Sequence, residues 1–157
     1  MDGDACPVRD EVFRVASRHG LAVTVVSNGS RGVRLPDWVR RVIVAEGPDA
    51  ADDWIAEAVR PNDICVTADI PLASRCLEAG GLALAPGGRV WDADNIGGAL
   101  AGREVARHLR EMGHETRNAA FTGQNRSRFL EAMEGVVIRA MRGSPPPSRP
   151  LPDFFSD

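Results

Sequence analysis

The stretch Ile64-Cys-Val-Thr-Ala-Asp-Ile-Pro71 decides the fold. Its first four residues are apolar or β-branched, as in a strand that is buried on both faces, and its proline lies where a helix begins. The apolar spacing that follows predicts a helix over 71–79, closed by Gly80-Gly81. A buried strand followed directly by a helix is the repeating unit of a parallel α/β sheet.

The same alternation extends along the chain in both directions. Apolar, β-branched stretches predict strands at Leu21–Ser27, Val39–Ala45, Ile64–Thr67 and Leu82–Ala85. Periodic apolar residues predict further helices at Val8–His19, Ala51–Val59, Gly98–Met112 and Asn125–Arg142. We therefore expect a three-layer α/β/α arrangement with a mostly parallel central sheet, whose ligands bind at the carboxyl ends of its strands.

Length and composition predict one domain and a tail. The chain has 157 residues, of which 43% are hydrophobic, and this is enough for one compact core. We assign residues 1–142 to the domain and the proline-rich residues 143–157 to a flexible tail. If Asp2 and Asp4 end a strand, that strand is very short or the natural chain starts upstream.

Composition excludes several classes of protein. The three cysteines form no CxxC motif and lie at no zinc-like spacing from the histidines, which argues against structural zinc and a disulfide framework. The chain contains no lysine, so lysine Schiff-base and P-loop mechanisms are excluded. No apolar run reaches the roughly 20 residues of a membrane span. We expect a cytoplasmic protein without membrane contact.

Aspartates recur where the predicted strands end. Asp2 and Asp4 precede the first helix, Asp69 follows the strand that begins at Ile64, and a third acidic group begins the helix at Ala51. This third group consists of Asp49, Asp52 and Asp53. Carboxylates that converge on one edge repel one another unless a hard cation such as Mg²⁺ or Mn²⁺ binds them. The alternative is that each aspartate caps a helix.

Four motifs resemble those of the YaiI/YqxD family of bacterial proteins, over nearly all of residues 1–142. They are Asp2-Gly-Asp-Ala-Cys-Pro-Val8, Asp49-Ala-Ala-Asp-Asp-Trp-Ile-Ala-Glu57, Thr67-Ala-Asp-Ile-Pro-Leu-Ala73 and Phe121-Thr-Gly-Gln-Asn-Arg-Ser-Arg-Phe129. Members of this family are similar to PIN-type nuclease domains. The resemblance therefore implies a PIN-like fold in which Asp2, Asp4, Asp53 and Asp69 ligate one or two divalent ions. Asp49 is a further candidate ligand, because it lies four residues before Asp53 on the same predicted helix face.

The favoured function is a metal-dependent nuclease that hydrolyses phosphodiesters of RNA or of a single-stranded nucleic acid. Residues 103–149 hold nine arginines against five glutamates, and this basic half could bind phosphates. The candidate substrate-binding residues are Asn28, Thr67, Arg126, Ser127 and Arg128.

Two other functions stay open. One is a noncatalytic module that binds nucleic acid or a protein on the same scaffold. The other is a phosphatase of the haloacid dehalogenase type with Asp2 as nucleophile, although the missing lysine and the order of the acidic residues fit it poorly.

Overall fold

The computed structural model describes residues 1, 3, 8–29, 34–45, 47, 49–102 and 123–143. Its helices are α1 (Arg9–His19), α2 (Ala50–Ala58), α3 (Ile70–Glu78), α4 (96–102) and α5 (Gly123–Gly143). Its strands are β1 (Thr24–Ser27), β2 (Arg40–Ile43), β3 (Ile64–Val66), β4 (Leu82–Leu84) and β5 (Val90–Trp91). The mixed α/β fold expected from the sequence is confirmed.

The strands form two small sheets. In the first sheet β1 and β2 are parallel, with Thr24 opposite Arg40. In the second sheet β3 and β4 are parallel, and β5 pairs with β4 in the antiparallel direction. The sequence analysis missed β5, because a strand of two residues carries no periodic pattern. Each predicted parallel strand is present, so the carboxyl ends of β1 and β2 meet at one edge, and those of β3 and β4 do so too.

Met1 and Gly3 extend the first sheet. The Val26 N–H donates to the Met1 carbonyl over 3.0 Å, and the Gly3 N–H donates to the Val26 carbonyl over 2.8 Å, which is the pattern of parallel pairing. A Cβ atom on Gly3 would lie 2.9 Å from the Cβ of Ser27, so only glycine fits there without a shift. The very short first segment expected from the sequence therefore lies alongside β1.

Neighbouring residues of a strand pack against different helices. In β1, Val25 belongs to a cluster with residues of α1 and α5, whereas Val26 belongs to a cluster with residues of α2 and α3. In β3, Val66 belongs to the cluster with α1 and α5, and Cys65 belongs to the cluster with α2 and α3. Because successive side chains of a strand point to opposite faces, helices cover both faces of these strands.

One strand starts three residues later than predicted, and the other described boundaries agree with the predicted ones within two residues. The strand predicted from Leu21 begins only at Thr24, because the Leu21 N–H donates to the Ala16 carbonyl and so closes α1, after Gly20 at a φ of +70°. The helix predicted over 98–112 is helical through residue 102, and its remainder lies outside the described residues, as does the tail beyond Gly143.

The turn between β4 and β5 should be intolerant of a side chain at Gly88. Gly88 has a φ of +95°, and a Cβ atom there would lie 2.9 Å from the backbone of Arg128 in α5. We expect Gly88→Ala to lower the free energy of unfolding by about 1–3 kcal/mol, since it adds backbone strain and displaces α5.

Urea unfolding followed by circular dichroism measures this change. The matched control is Gly87→Ala, because a Cβ atom on Gly87 meets nothing within 4 Å. Equal stability of the two variants would show that α5 is not held by this turn.

Candidate functional site

The candidate site lies at the edge where the parallel strands end, called here the carboxyl edge. Ladder hydrogen bonds continue one residue past β2 and β3, from Val44 N–H to the Ser27 carbonyl and from Thr67 N–H to the Leu84 carbonyl. Met1 lines a small cavity together with residues of both β1 and β3. Gly3 and Ser27 mark the carboxyl end of the first sheet, and Thr67 marks that of the second.

Asp69 lies half-buried at this edge and caps α3. Its Oδ1 accepts the Leu72 N–H over 2.8 Å. Its own N–H donates to the Oγ1 of Thr67 over 3.0 Å, and Thr67 is fully buried. The capping role considered in the sequence analysis is thus present for Asp69, and it leaves Oδ2 as a second acceptor on the same carboxylate.

Asp49 and Asp53 lie at the start of α2. Asp49 precedes α2 without a side-chain capping hydrogen bond and is exposed. Asp53 pairs with Arg75 of α3, whose Nη1 donates to Oδ1 over 2.7 Å. This hydrogen bond raises the pKa of Arg75 above its ordinary value. Asp53 therefore links α2 to α3.

Asn28 follows β1 at the same edge and is exposed. The next residue, Gly29, has a φ of +80°, and its N–H donates to the Oγ of Ser27 over 3.3 Å. Asn28-Gly29 therefore forms a turn directly after β1.

The start of α5 carries the predicted substrate-binding residues Arg126, Ser127 and Arg128, all of them exposed. The Ser127 hydroxyl donates to the Gly123 carbonyl over 3.2 Å, a bond inside the helix. Arg126 donates from Nη1 to Oε1 of Glu11, in the first turn of α1, over 3.0 Å. The structure therefore ties the start of α5 to the start of α1.

A second contact holds α5 at this end of the molecule. The backbone of Arg128 packs on Gly88, in the turn that follows β4. Since β4 is parallel to β3, this turn lies at the carboxyl edge. Arg126 and Arg128 thus lie towards the same end of the strands as Asp69, although 57 or more residues separate them from it in sequence.

The acidic residues come together only in part. Among the residues that the structure describes, no three histidine, cysteine, aspartate or glutamate side chains are grouped so as to hold a metal ion. Asp2 and Asp4, two of the four predicted ligands, lie outside the described residues. Asp69 stands at the carboxyl edge, and Asp53 is engaged by Arg75.

Two cysteines that form no disulfide lie in the core between β3 and α3. Cys65 of β3 and Cys76 of α3 are both buried, in the same apolar cluster. A hydrogen bond from the Cys65 thiol lowers the pKa of Cys76 below its ordinary value, against the effect of burial. Their burial is typical of structural cysteines.

Sequence reasoning missed three residues of this region: Gly3, Glu11 and Arg75. The signal for Gly3 was present, because a glycine between two acids at a strand end indicates close backbone approach. No signal identifies Glu11 or Arg75, since their partners lie 115 and 22 residues away in sequence.

A family model described as the uncharacterized YaiI/YqxD family matches residues 1–139. The chain belongs to the YaiI/YqxD family. A UPF0178 protein of Caulobacter vibrioides is 51% identical over 146 residues, which cover 92% of this chain and 95% of that protein. A UPF0178 protein of Rhizobium meliloti is 54% identical over 144 residues, which cover 90% and 98% of the two chains.

A third relative in the family, the UPF0178 protein Atu1478 of Agrobacterium fabrum, is 54% identical over 144 residues, or 90% of this chain and 94% of that protein. No solved structure matches the chain. Across the described ranges, no helix is long and apolar enough to cross a membrane.

The Asp53–Arg75 pair should contribute little to stability. Both side chains are about half exposed, at 55% and 44%, so water and salt screen their attraction. We expect Asp53→Asn to lower the free energy of unfolding by about 1 kcal/mol or less, and by less still at high salt.

Urea unfolding at low and at high salt measures this effect, with Glu57→Gln on the same helix as the control. A loss several times larger, unchanged by salt, would contradict this prediction and make Asp53 essential to the packing of α2 on α3.

Proposed function

We propose that this protein is a divalent-metal-dependent phosphodiesterase of PIN-like, three-layer architecture that cleaves RNA or single-stranded nucleic acid. The observation that carries the proposal is the position of Asp69. Its half-buried carboxylate caps α3 directly after β3, where the parallel strands of the second sheet end. Sheets of this kind bind their ligands at that edge.

The packing of the strands supports the three-layer architecture. Side chains of β1 and β3 alternate between a cluster with α1 and α5 and a cluster with α2 and α3. Met1 lines the same cavity as Val26 and Cys65, and this favours one central sheet with the Met1–Gly3 segment between β1 and β3. A fold alone is a weak argument for activity, so the proposal depends on the residues at the edge.

The donor atoms fit Mg²⁺ or Mn²⁺. The described residues offer the Oδ2 atom of Asp69, and the proposed partners Asp2 and Asp4 would supply further carboxylates. Oxygen donors of this type suit hard divalent cations better than soft ones. When bound, such an ion would lower the pKa of a water molecule and stabilise the leaving oxygen of a phosphodiester.

The other edge residues would bind and orient the substrate. Buried Thr67 fixes the backbone of Asp69 through its hydroxyl, so the carboxylate has a defined direction. Arg126 and Arg128 would bind phosphates, since an arginine fork matches the geometry of two phosphate oxygens. Exposed Asn28 would contact a sugar or a base of the bound nucleic acid.

Asp53 and Asp49 would complete the ligand set from α2. For Asp53 to bind the ion, its ion pair with Arg75 has to open. The pair is half exposed, so opening it costs about 1 kcal/mol or less, which a divalent cation can offset.

A noncatalytic nucleic-acid-binding module is the second candidate. The structural roles of Asp69 as a helix cap and of Asp53 as an ion-pair partner favour it, because each carboxylate has a use without a metal. The experiment that follows separates the two candidates.

Asp69→Asn should weaken Mn²⁺ binding by about tenfold or more, because it removes a charged ligand. Asparagine caps helices as well as aspartate does, so the fold should be retained. The measurement is calorimetric titration of Mn²⁺ into metal-free protein, followed by an assay of the same samples on labelled single-stranded RNA.

Asp92→Asn is the matched control. Asp92 accepts the N–H groups of Asp94 and Asn95, and it follows the antiparallel strand β5, so it lies at the opposite edge of the sheet. Metal-dependent cleavage that Asp69→Asn abolishes and Asp92→Asn retains would support the phosphodiesterase. A wild-type protein that binds no ion at millimolar concentration would overturn it in favour of the binding module.

A further inference from the structure

An exposed apolar surface lies along β2 and the turn before it. Its two apolar side chains are Trp38, which is 39% exposed, and Ile43, which is 61% exposed. Both lie in a basic stretch, since residues 34–43 hold three arginines against one aspartate. Single exposed apolar residues are common on proteins, whereas a tryptophan and an isoleucine on one basic surface indicate a binding surface.

The two side chains lie on the same side of the first sheet. Arg41 is opposite Val25 in the parallel register, and Val25 packs in the cluster with α1 and α5. Ile43 is two residues further along β2, so it shares the side of Arg41. Trp38 lies on this side too, because its ring packs on Phe13 of α1. Trp38, Arg41 and Ile43 are called here the Trp38 face.

The indole of Trp38 is held in a defined position. The Val39 N–H donates to the Pro36 carbonyl over 3.0 Å, so Trp38 lies inside a turn whose end at Val39 is buried. The indole meets the Phe13 ring in a T-shaped contact, with ring centroids 5.8 Å apart and an interplanar angle of 75°. Such a contact uses at most one face of the indole. A rigid, exposed aromatic ring binds a flat partner with little loss of conformational entropy.

The Trp38 face leads to the carboxyl edge. The strand β2 runs parallel to β1 and ends at Ile43. There Ile43 lies over the turn at Gly29, since a Cβ atom on Gly29 would be 3.1 Å from the Cγ2 of Ile43. A chain bound along β2 would span about 10 Å from Arg40 to Ile43 and would end beside this turn.

Charge favours a polyanion as the partner. Three arginines against one aspartate give residues 34–43 a net charge of +2. Pairing of β2 with β2 of a second copy would bring Arg40 and Arg41 of both copies together, and like charges in close approach are unfavourable. Surfaces that bind single-stranded nucleic acids combine aromatic rings, on which bases stack, with positive charge, which attracts the backbone.

We propose that the Trp38 face binds a single-stranded nucleic acid, with a base stacked on the Trp38 indole and the strand following β2 towards the carboxyl edge. The positive charge of residues 34–43 attracts the phosphates. This inference rests on the proposed function for its choice of ligand, but it does not require that the protein cleave that ligand.

The test measures binding of a labelled oligouridine of about 12 nucleotides, a length within the range that single-strand-binding sites cover. Fluorescence anisotropy is recorded in EDTA, so that metal-dependent cleavage plays no part. Trp38→Leu should weaken binding about tenfold, because it removes the stacking ring. Trp38→Phe should retain most of the affinity, since phenylalanine keeps an aromatic face. Urea unfolding shows whether each variant is folded.

The charge of the segment is tested separately. Arg34→Gln should weaken binding and reduce the slope of log affinity against log salt by up to about 0.7, the value for one phosphate contact on a single strand. Arg60→Gln is the control, because Arg60 is exposed and follows α2, which packs on the opposite side of the strands. It should leave both the affinity and the slope nearly unchanged.

Tryptophan fluorescence tests stacking with Trp38 left in place. Unlabelled oligouridine should quench the emission of the wild type and of Trp54→Phe, because Trp38 remains in both. Quenching should disappear in Trp38→Leu, since Trp91 is only 7% exposed and a base cannot stack on it.

Each outcome decides the inference. Weaker binding by Trp38→Leu but not by Trp38→Phe, with quenching that requires Trp38, supports it. Unchanged binding by Trp38→Leu, quenching lost only in Trp54→Phe, an equal loss in Arg60→Gln, or a wild-type protein that does not bind overturns it. A dimer in analytical ultracentrifugation that Ile43→Ser dissociates would overturn it in favour of a contact between copies. Binding through Trp38 without metal-dependent cleavage would refute the phosphodiesterase and leave this inference intact.

Discussion

Two backbone hydrogen bonds, between Val26 and the Met1 and Gly3 residues beside it, are the constraint on which the rest of the structure depends. They bring the start of the chain into parallel alignment with β1, and Met1 lines a cavity with residues of both β1 and β3. The approach is close enough that only a hydrogen fits at the α-carbon of Gly3.

The sequence predicted the elements of the fold better than their ends. A buried strand such as β3 is recognisable because apolar, β-branched residues are followed directly by a helix-starting proline, and both signals are local. Leu21 was assigned to a strand because its apolar side chain fits one, whereas its backbone completes the end of α1. The β5 strand depends on pairing with β4, and two residues do not encode a partner.

Sequence reasoning likewise located only some residues of the candidate site. The position of Asp69 follows from the strand before it and the helix after it, so sequence reasoning located it and also identified its role as a cap. Ion pairing between distant residues is different. These ion pairs, Asp53–Arg75 and Glu11–Arg126, form because of the way the helices pack on the sheet. The sequence around each residue does not identify its partner. Carboxylates that look equivalent in sequence therefore acquire different surroundings in the fold.

The parallel order of the elements has an electrical consequence. The helices α1, α2 and α3 each follow a segment that ends at the carboxyl edge, and the contact of Arg128 with Gly88 brings the start of α5 to the same place. Each helix start carries the equivalent of about half a positive charge from its aligned peptide dipoles. The charge of these helix ends comes from the backbone, so it does not titrate, and it offsets part of the negative charge of the acidic residues in the first turns of α1 and α2. The formal net charge of −3 is therefore a poor guide to what this edge attracts.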